Sequence, residues 1–321
     1  MASGPGRTCP VGYRYGASAL RAAPSIEAET LYVAGGLYGN PYALEALLGL
    51  VAADPGAKLV FNGDFNWFDV DAEDFCRINE AVLRHAAIRG NVETELAQPA
   101  GDAGCGCGYP DWVDDGVVTR SNRIQEELRA TALAQPALTA QLGALPMFAV
   151  AQVGATRVAV VHGDAESLSG WGFSQEVLAT PNGLIAAEQA IAAAGVDVIA
   201  SSHTCLPVLQ SIPRGAREAV LVNNGAAGLP NFRATRYGLV TRISVGARAL
   251  DAIYSAAVGG TRIEAIPVRY DTAAWQRRFL EQWPAGSAAH LSYYDRICAG
   301  PDYAPGDANR VAARCDAALA L

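Results

Sequence analysis

The chain has 321 residues, with 24 Lys and Arg against 32 Asp and Glu, for a formal net charge of −8. Apolar residues make up 51% and charged ones 17%, a composition that can bury a sizeable core and excludes a disordered chain. The acidic balance argues against nucleic acid or an anionic membrane as partner, since both need basic patches, but it leaves room for one arginine pocket for a phosphate.

Residues 1–28 read as an N-terminal arm with no apolar stretch that could serve as a signal peptide. The richest apolar run, Gly183 to Ala200, is cut by Glu188, Gln189 and Asp197, so no membrane span is expected and a cytoplasmic location is. Thr30–Ala34 reads as a strand ending in Gly35-Gly36, followed by a helix from Pro41 to Val51. Lys58–Asn62 is a second buried strand, a helix spans about Asp71 to Arg84, and Ala86–Ile88 is a third strand. A longer helix is expected from Asp114 to Ala134, then strands at Phe148–Val153 and Arg157–Val161. Leu184–Ala194 reads as a helix stopped by Gly195. Val196–Ala200, Ala219–Val222, Gly238–Ser244 and Ala252–Ala256 complete the strands. This order fits an α/β protein of two packed sheets with helices outside. The body is taken as residues 29–270, with a helical or loop extension over 271–321 packed on it. The arm, the Gly/Cys stretch Gly101–Gly108 and the tail after Pro284 read as the less ordered parts.

Four apolar strands end in a side chain able to bind metal. They are Leu59-Val-Phe-Asn-Gly63-Asp64, Ala87-Ile-Arg-Gly90-Asn91, Val158-Ala-Val-Val-His162-Gly163 and Val198-Ile-Ala-Ser-Ser-His203-Thr204-Cys205. Strand ends at one edge of an open sheet are where α/β proteins collect their sites. One carboxylate, one amide oxygen and two imidazoles form a donor set suited to Mn, Fe or Zn.

The order of these segments resembles that of the calcineurin-like metallophosphoesterases. Their blocks run D-x-H, G-D, G-N-(H/C)-(D/E), H-G and G-H-x-H, and close with N-x-G-S-x-G. Gly63-Asp64, Gly90-Asn91-Val92-Glu93, His162-Gly163 and His203-Thr204-Cys205 match the second to fifth blocks, and Asn223-Asn224-Gly225 opens a stretch like the last. The resemblance, over about residues 29 to 270, implies a four-layer sandwich of two mixed β-sheets flanked by helices. It implies one or two divalent or transition metal ions, with Asp64, Asn91, His162 and His203 holding one and Asp64 able to bridge to another. Asp64, Asn91 and His162 are then the catalytic residues of a phosphoesterase-like hydrolase. In such enzymes hydroxide on the metal attacks a small phosphomonoester or diester.

The first block here reads Gly36-Leu37-Tyr38, and the fifth ends in Cys205 where a second His is usual. Either the second ion is lost, or its site is rebuilt from Tyr38 and Cys205, both able to ligate once deprotonated, with Asn66 and Glu93 as spare donors. Arg89 and Trp171 are expected near the substrate, Arg89 as a bidentate phosphate clamp or else in a structural ion pair, while His290-Leu-Ser-Tyr293-Tyr294 either covers the mouth of the site or packs as a surface helix end. Of seven cysteines, Cys105 and Cys107 form a C-x-C pair, read as free thiols in a flexible loop or as a metal or redox pair. The alternatives to a phosphoesterase are a non-hydrolytic metal- or ligand-binding protein, and a metalloenzyme repurposed through Tyr38, Cys205 and the C-x-C pair.

Overall fold

The computed structural model describes residues 4–98, 103–215 and 217–311; the first residues of the arm, Gly101 and Asp102 of the Gly/Cys stretch, and the end of the tail lie outside them. Two short 3-10 turns, Val11–Tyr13 and Ala17–Arg21, lead into β1 (Ile26–Ala28) and β2 (Thr30–Ala34). Helices and strands then alternate through α1 (Pro41–Ala52), β3 (Lys58–Asn62), α2 (Ala72–Val82), β4 (Ala86–Ile88) and α3 (Asn91–Ala97). Next come α4 (Asp115–Leu133), α5 (Pro136–Ala144), β5 (Phe148–Val153), β6 (Thr156–Val161), α6 (Pro181–Ala194) and β7 (Val198–Ser201). A run of strands follows: β8 (Val208–Arg214), β9 (Arg217–Asn223), β10 (Gly238–Ser244), β11 (Ser255–Val258) and β12 (Thr261–Val268). The described chain closes with α7 (Thr272–Gln282), α8 (Ala288–Ala299), α9 (Pro305–Ala308) and β13 (Asn309–Arg310).

Among the described residues thirteen strands form two mixed sheets, one in the order β11-β12-β10-β2-β3-β4 and the other β1-β5-β6-β7-β9-β8-β13. The two-residue period of a strand explains the layers. In β2, Leu31 and Val33 face the second sheet and join Val60, Val158, Val160, Val198 and Val222 between the sheets. Tyr32 and Ala34, on the opposite face, pack against Leu44, Leu47, Phe75, Ile124 and Phe279 from the helices. Beyond the second sheet, Ala159, Val161 and Ile199 meet Ala187, Ile191 and Ala194 of α6. Three apolar seams therefore separate four layers, helices, sheet, sheet and helix, as an α/β fold with two mixed sheets flanked by helices requires.

Helix starts follow local chemistry. Asn40 caps α1 with Pro41 in its first turn, and Asp71, Asp114, Thr180, Asp271 and Ser287 each accept a backbone N–H at the head of a helix. Gly195, at φ 66°, ends α6 in the left-handed region.

Two regions differ from expectation. The tail after Pro284 contains α8, whose Ala288, Ala289 and Ile297 are buried. The described part of the arm is anchored, with Tyr13 and Leu20 buried and Tyr15 Oη donating to the carbonyl of Asp164 at 2.5 Å. No helix among the described residues is long and apolar enough to cross a membrane.

Candidate metal centre

Each sheet contributes two donors. Asp64 follows β3 and Asn91 follows β4 on the first sheet, while His162 follows β6 and His203 follows β7 on the second. Parallel pairing of β3 with β4 and of β6 with β7 puts these ends side by side. Asp64, His162 and His203 form a buried group whose ligand atoms lie within 4.8 Å of one another. Nε2 of His162 lies 3.3 Å from Asp64 Oδ2, 3.2 Å from Asn91 Oδ1 and 3.2 Å from His203 Nδ1.

The surroundings fix which atom of each side chain faces inward. His162 Nδ1 lies 2.8 Å from the carbonyl of Asn62, so that nitrogen carries the proton and Nε2 keeps its lone pair. His203 Nε2 donates in the same way to the carbonyl of Cys107 at 2.8 Å, freeing Nδ1. The Asn91 amide donates to the Cys105 carbonyl at 2.9 Å, which turns Oδ1 toward the imidazole. Asp64 Oδ1 accepts from Val92 N, leaving Oδ2. Four donor atoms thus converge, each oriented by a neighbour, as around a bound cation. The residues present fit one divalent ion.

Of the three titrating donors, His203 and Asp64 are held proton-free, while at His162 the neighbouring carboxylate favours a proton that a cation would replace. Burial, then the neighbouring His162, holds His203 down at about 4, so it is neutral at physiological pH. Burial opposes ionisation of Asp64, but the two imidazoles outweigh it and keep its carboxyl below the usual range. For His162, burial is overcome by Asp64, which raises its pKa.

The second position is filled by other groups. An ideal Cβ on Gly36, where the D of D-x-H would stand, would come within 2.4 Å of the Tyr38 ring. The ring thus occupies the space that an Asp side chain would use. Tyr38 Oη lies 2.7 Å from Cys205 Sγ, which in turn donates to the His203 carbonyl at 3.2 Å. Burial pushes both groups up, Tyr38 well above the ordinary phenol, so they form a neutral hydrogen-bonded pair. Tyr38, Asp64 and Cys205 all have positive φ, of 55°, 53° and 64°, a costly setting that surrounding contacts must maintain.

The spare donors are also committed. Glu93 accepts from the backbone N–H groups of Asp64, Gly90 and Phe65 and from Asn66 Nδ2. Burial, then Asp64, raises its carboxyl to about 7. Asn66 and Asn79 exchange amide hydrogen bonds.

Arg89 is not brought to the cleft. Its guanidinium donates to the carbonyl of Gly143 in α5, and its backbone N–H donates to Pro146. The expectation of a phosphate clamp is corrected on this ground, because the fork is turned toward a backbone carbonyl. Trp171 does reach the site, with Nε1 on the Cys107 carbonyl at 2.9 Å and its ring 5.6 Å from that of His203.

A small cleft of about 50 Å³ opens over these groups, lined by Tyr38, Trp67, Tyr109, Trp171, Tyr293 and Thr204 beside the ligands. Sequence reasoning missed Trp67 and Tyr109, which lie in loops without periodicity. Of the His290–Tyr294 stretch, only Tyr293 lines the cleft; His290 stacks on Tyr294. Arg296 was also missed: it donates to the carbonyls of Cys205 and Pro230, behind the Tyr38–Cys205 pair.

Cys105 and Cys107 are joined in a disulfide with their Cα atoms 5.4 Å apart, which corrects the reading of them as free thiols. Gly106 between them, at φ 66°, allows the tight return that brings them together.

No protein-family model matches the sequence, and no curated protein matches it. Among solved structures the chain is similar to a metallophosphoesterase from Sphaerobacter thermophilus, at 16% identity and a TM-score of 0.56, over 85% of this chain and 100% of that one. It is also similar to a hypothetical protein from Pyrococcus horikoshii OT3, at 16% identity and a TM-score of 0.55, over 85% and 99%. The chain has the metallophosphoesterase fold.

Proposed function

We propose that this protein is a phosphoesterase-like hydrolase working with one divalent or transition metal ion, Mn, Fe or Zn. The observation that carries the reading is the convergence of Asp64, Asn91, His162 and His203, each with its inward atom selected by a backbone group. A cation held there supplies Lewis acidity to a phosphoryl oxygen and makes water a better nucleophile near neutral pH. Within the chain, His162 and His203 hold neutral imidazole faces toward the ion, and Asp64 offsets its charge. Tyr38, kept protonated by burial, stands on the cleft wall with its hydroxyl committed to Cys205 Sγ. The aromatic walls exclude water around the reacting group.

Among the described residues no Lys or Arg lines the cleft, so the ion supplies the attraction for phosphate, and a small monoester or diester suits it better than a polyanion. A small phosphorylated molecule as partner, no nucleic acid, and a cytoplasmic setting belong to the same proposal. The test is hydrolysis of chromogenic phosphomonoesters and diesters by protein loaded with Mn, Fe or Zn, alongside His162→Ala. Turnover that needs added metal and falls at least about 100-fold in the variant, as when a group essential to the transition state is removed, supports the reading. Turnover equal in both proteins would refute it.

A second reading, a metal-binding protein without hydrolytic activity, is favoured by one observation: the Tyr38 ring fills the space that an Asp side chain at position 36 would use. Metal-loaded protein that turns over none of these esters would establish it in place of the hydrolase.

A further inference from the structure

The Cys105–Cys107 disulfide lies against two of the four metal-binding side chains. The Asn91 amide donates to the Cys105 carbonyl at 2.9 Å and lies 3.6 Å from Cys107 Sγ. His203 Nε2 donates to the Cys107 carbonyl at 2.8 Å, and Trp171 Nε1 shares that oxygen at 2.9 Å. The peptide carbonyls that choose the Asn91 rotamer and the His203 tautomer therefore belong to the two cysteines themselves. Both are buried, at 0% and 6% exposure. Beyond the bridge the loop is held by Asn122 Oδ1, which accepts from Cys105 N at 3.0 Å, and by Gly6, which bonds Ala103 and Tyr109. Gly104, Gly106 and Gly108 all have positive φ, so this backbone has conformational freedom that only its ties remove.

We infer that the Cys105–Cys107 disulfide is a positioning element for the metal centre, locking the carbonyls that orient Asn91 and His203 and so setting the affinity for the cation. The inference rests on the single-ion reading above. Opening the bridge frees the glycine-rich loop; the two carbonyls lose their fixed direction, and His203 is no longer confined to the Nε2–H tautomer. Loss of such orienting partners weakens metal affinity by about 10- to 100-fold in known sites. In a cell the reductant is a pair of thiols, which become one disulfide as their two hydrogens pass to Cys105 and Cys107. Metal occupancy then follows thiol redox state.

The experiment measures Zn²⁺ and Mn²⁺ affinity of the full chain by competition with a chromogenic chelator, before and after treatment with a water-soluble phosphine. The phosphine takes oxygen from water to become its oxide, and the two hydrogens of that water complete the two thiols. Among the described residues Cys9, Cys76, Cys205 and Cys298 are free thiols, so among these residues the bridge is what the phosphine changes, and Cys315→Ser is carried in the protein used so that its thiol plays no part. The melting temperature of the metal-free protein and ¹⁵N imidazole spectra are recorded in both states, with Cys105→Ser/Cys107→Ser as a second route to the open loop. The expected result is affinity weakened about 10-fold or more in the reduced protein and in the double variant, with His203 shifting from a single Nε2–H tautomer to a mixture. Equal affinity and an unchanged tautomer in both states would overturn the inference while leaving the metal centre standing. No binding even by the oxidised protein would overturn the single-ion reading and this inference with it.

Discussion

Asp69 has no exposed surface, and neither of its carboxylate oxygens finds a hydrogen-bond partner among the described residues. Burial, then the like charges of Asp74 and Asp71, holds its carboxyl well above the ordinary range. A carboxyl whose pKa is raised in the folded state favours folding below the unfolded value near 4, and that contribution is lost as pH rises through the folded value. Asp69→Asn removes the cost of an unpaired buried charge, about 1–3 kcal/mol. The variant should therefore melt at higher temperature than wild type at pH 7, with the gain shrinking toward pH 4. Thermal melts at the two pH values check this, and a variant less stable than wild type at pH 7 would show that the carboxylate has a partner in solution. Tyr38→Phe should keep metal bound, since its ring and not its oxygen fills the second position; metal affinity measured by chelator competition should change less than about threefold, well below the 10- to 100-fold effect of losing an orienting partner.

At the scale of elements, the centre depends on how β3 and β4 hand over to their loops. The Gly63 and Gly90 turns approach so closely that an ideal Cβ on Gly90 would meet Asp64 Oδ1 at 2.2 Å. Glu93, in the first turn of α3, ties the two loops together by accepting from Asp64, Phe65 and Gly90 N–H groups. Glu93→Gln replaces one acceptor oxygen with a donor that faces other donors. It should cost about 1–3 kcal/mol of stability and weaken metal binding, because the Asp64 backbone is no longer pinned. Denaturant unfolding together with metal titration would show both losses; an unchanged midpoint would contradict the bracing role. The strand ends were legible in the sequence because apolar runs of three to five residues stop at a glycine or polar residue, as in Leu59 to Asp64. The hairpin of β8 and β9 was only half legible, since Pro213 and the Arg-rich turn hide the first strand. Trp67 and Tyr109 were not assigned to the wall for a different reason. Both sit in loops with no apolar period to mark them, so only the folded chain shows that they reach the cleft. The C-x-C spacing likewise suits thiols, a metal or a redox pair, and the bond between the two sulfurs in the folded chain distinguishes them.

On the scale of the whole molecule, the two sheets meet so that each supplies half of the donor set, and the seam of Leu31, Val33, Val60, Val158 and Val160 between them holds the halves in register. The same packing places the Tyr38 ring over Gly36, in space that an Asp side chain at that position would use. Two packed sheets with helices outside followed from the order of elements along the chain, and the four-layer sandwich from the family resemblance, but the contact between ring and glycine did not. Residue identities at 36, 38 and 205 are compatible with a rebuilt site as well as a lost one, and the proposed single-ion centre takes the second of these. The most direct test is the metal content of protein purified without chelator and then saturated with Mn²⁺ or Zn²⁺, counted per chain by elemental mass spectrometry in wild type, Cys205→Ala and His162→Ala. One ion per chain in wild type and in Cys205→Ala, with none retained in His162→Ala, is the predicted result. Two ions in wild type falling to one in Cys205→Ala would mean that Tyr38 and Cys205 ligate a second metal, and would contradict the single-ion account.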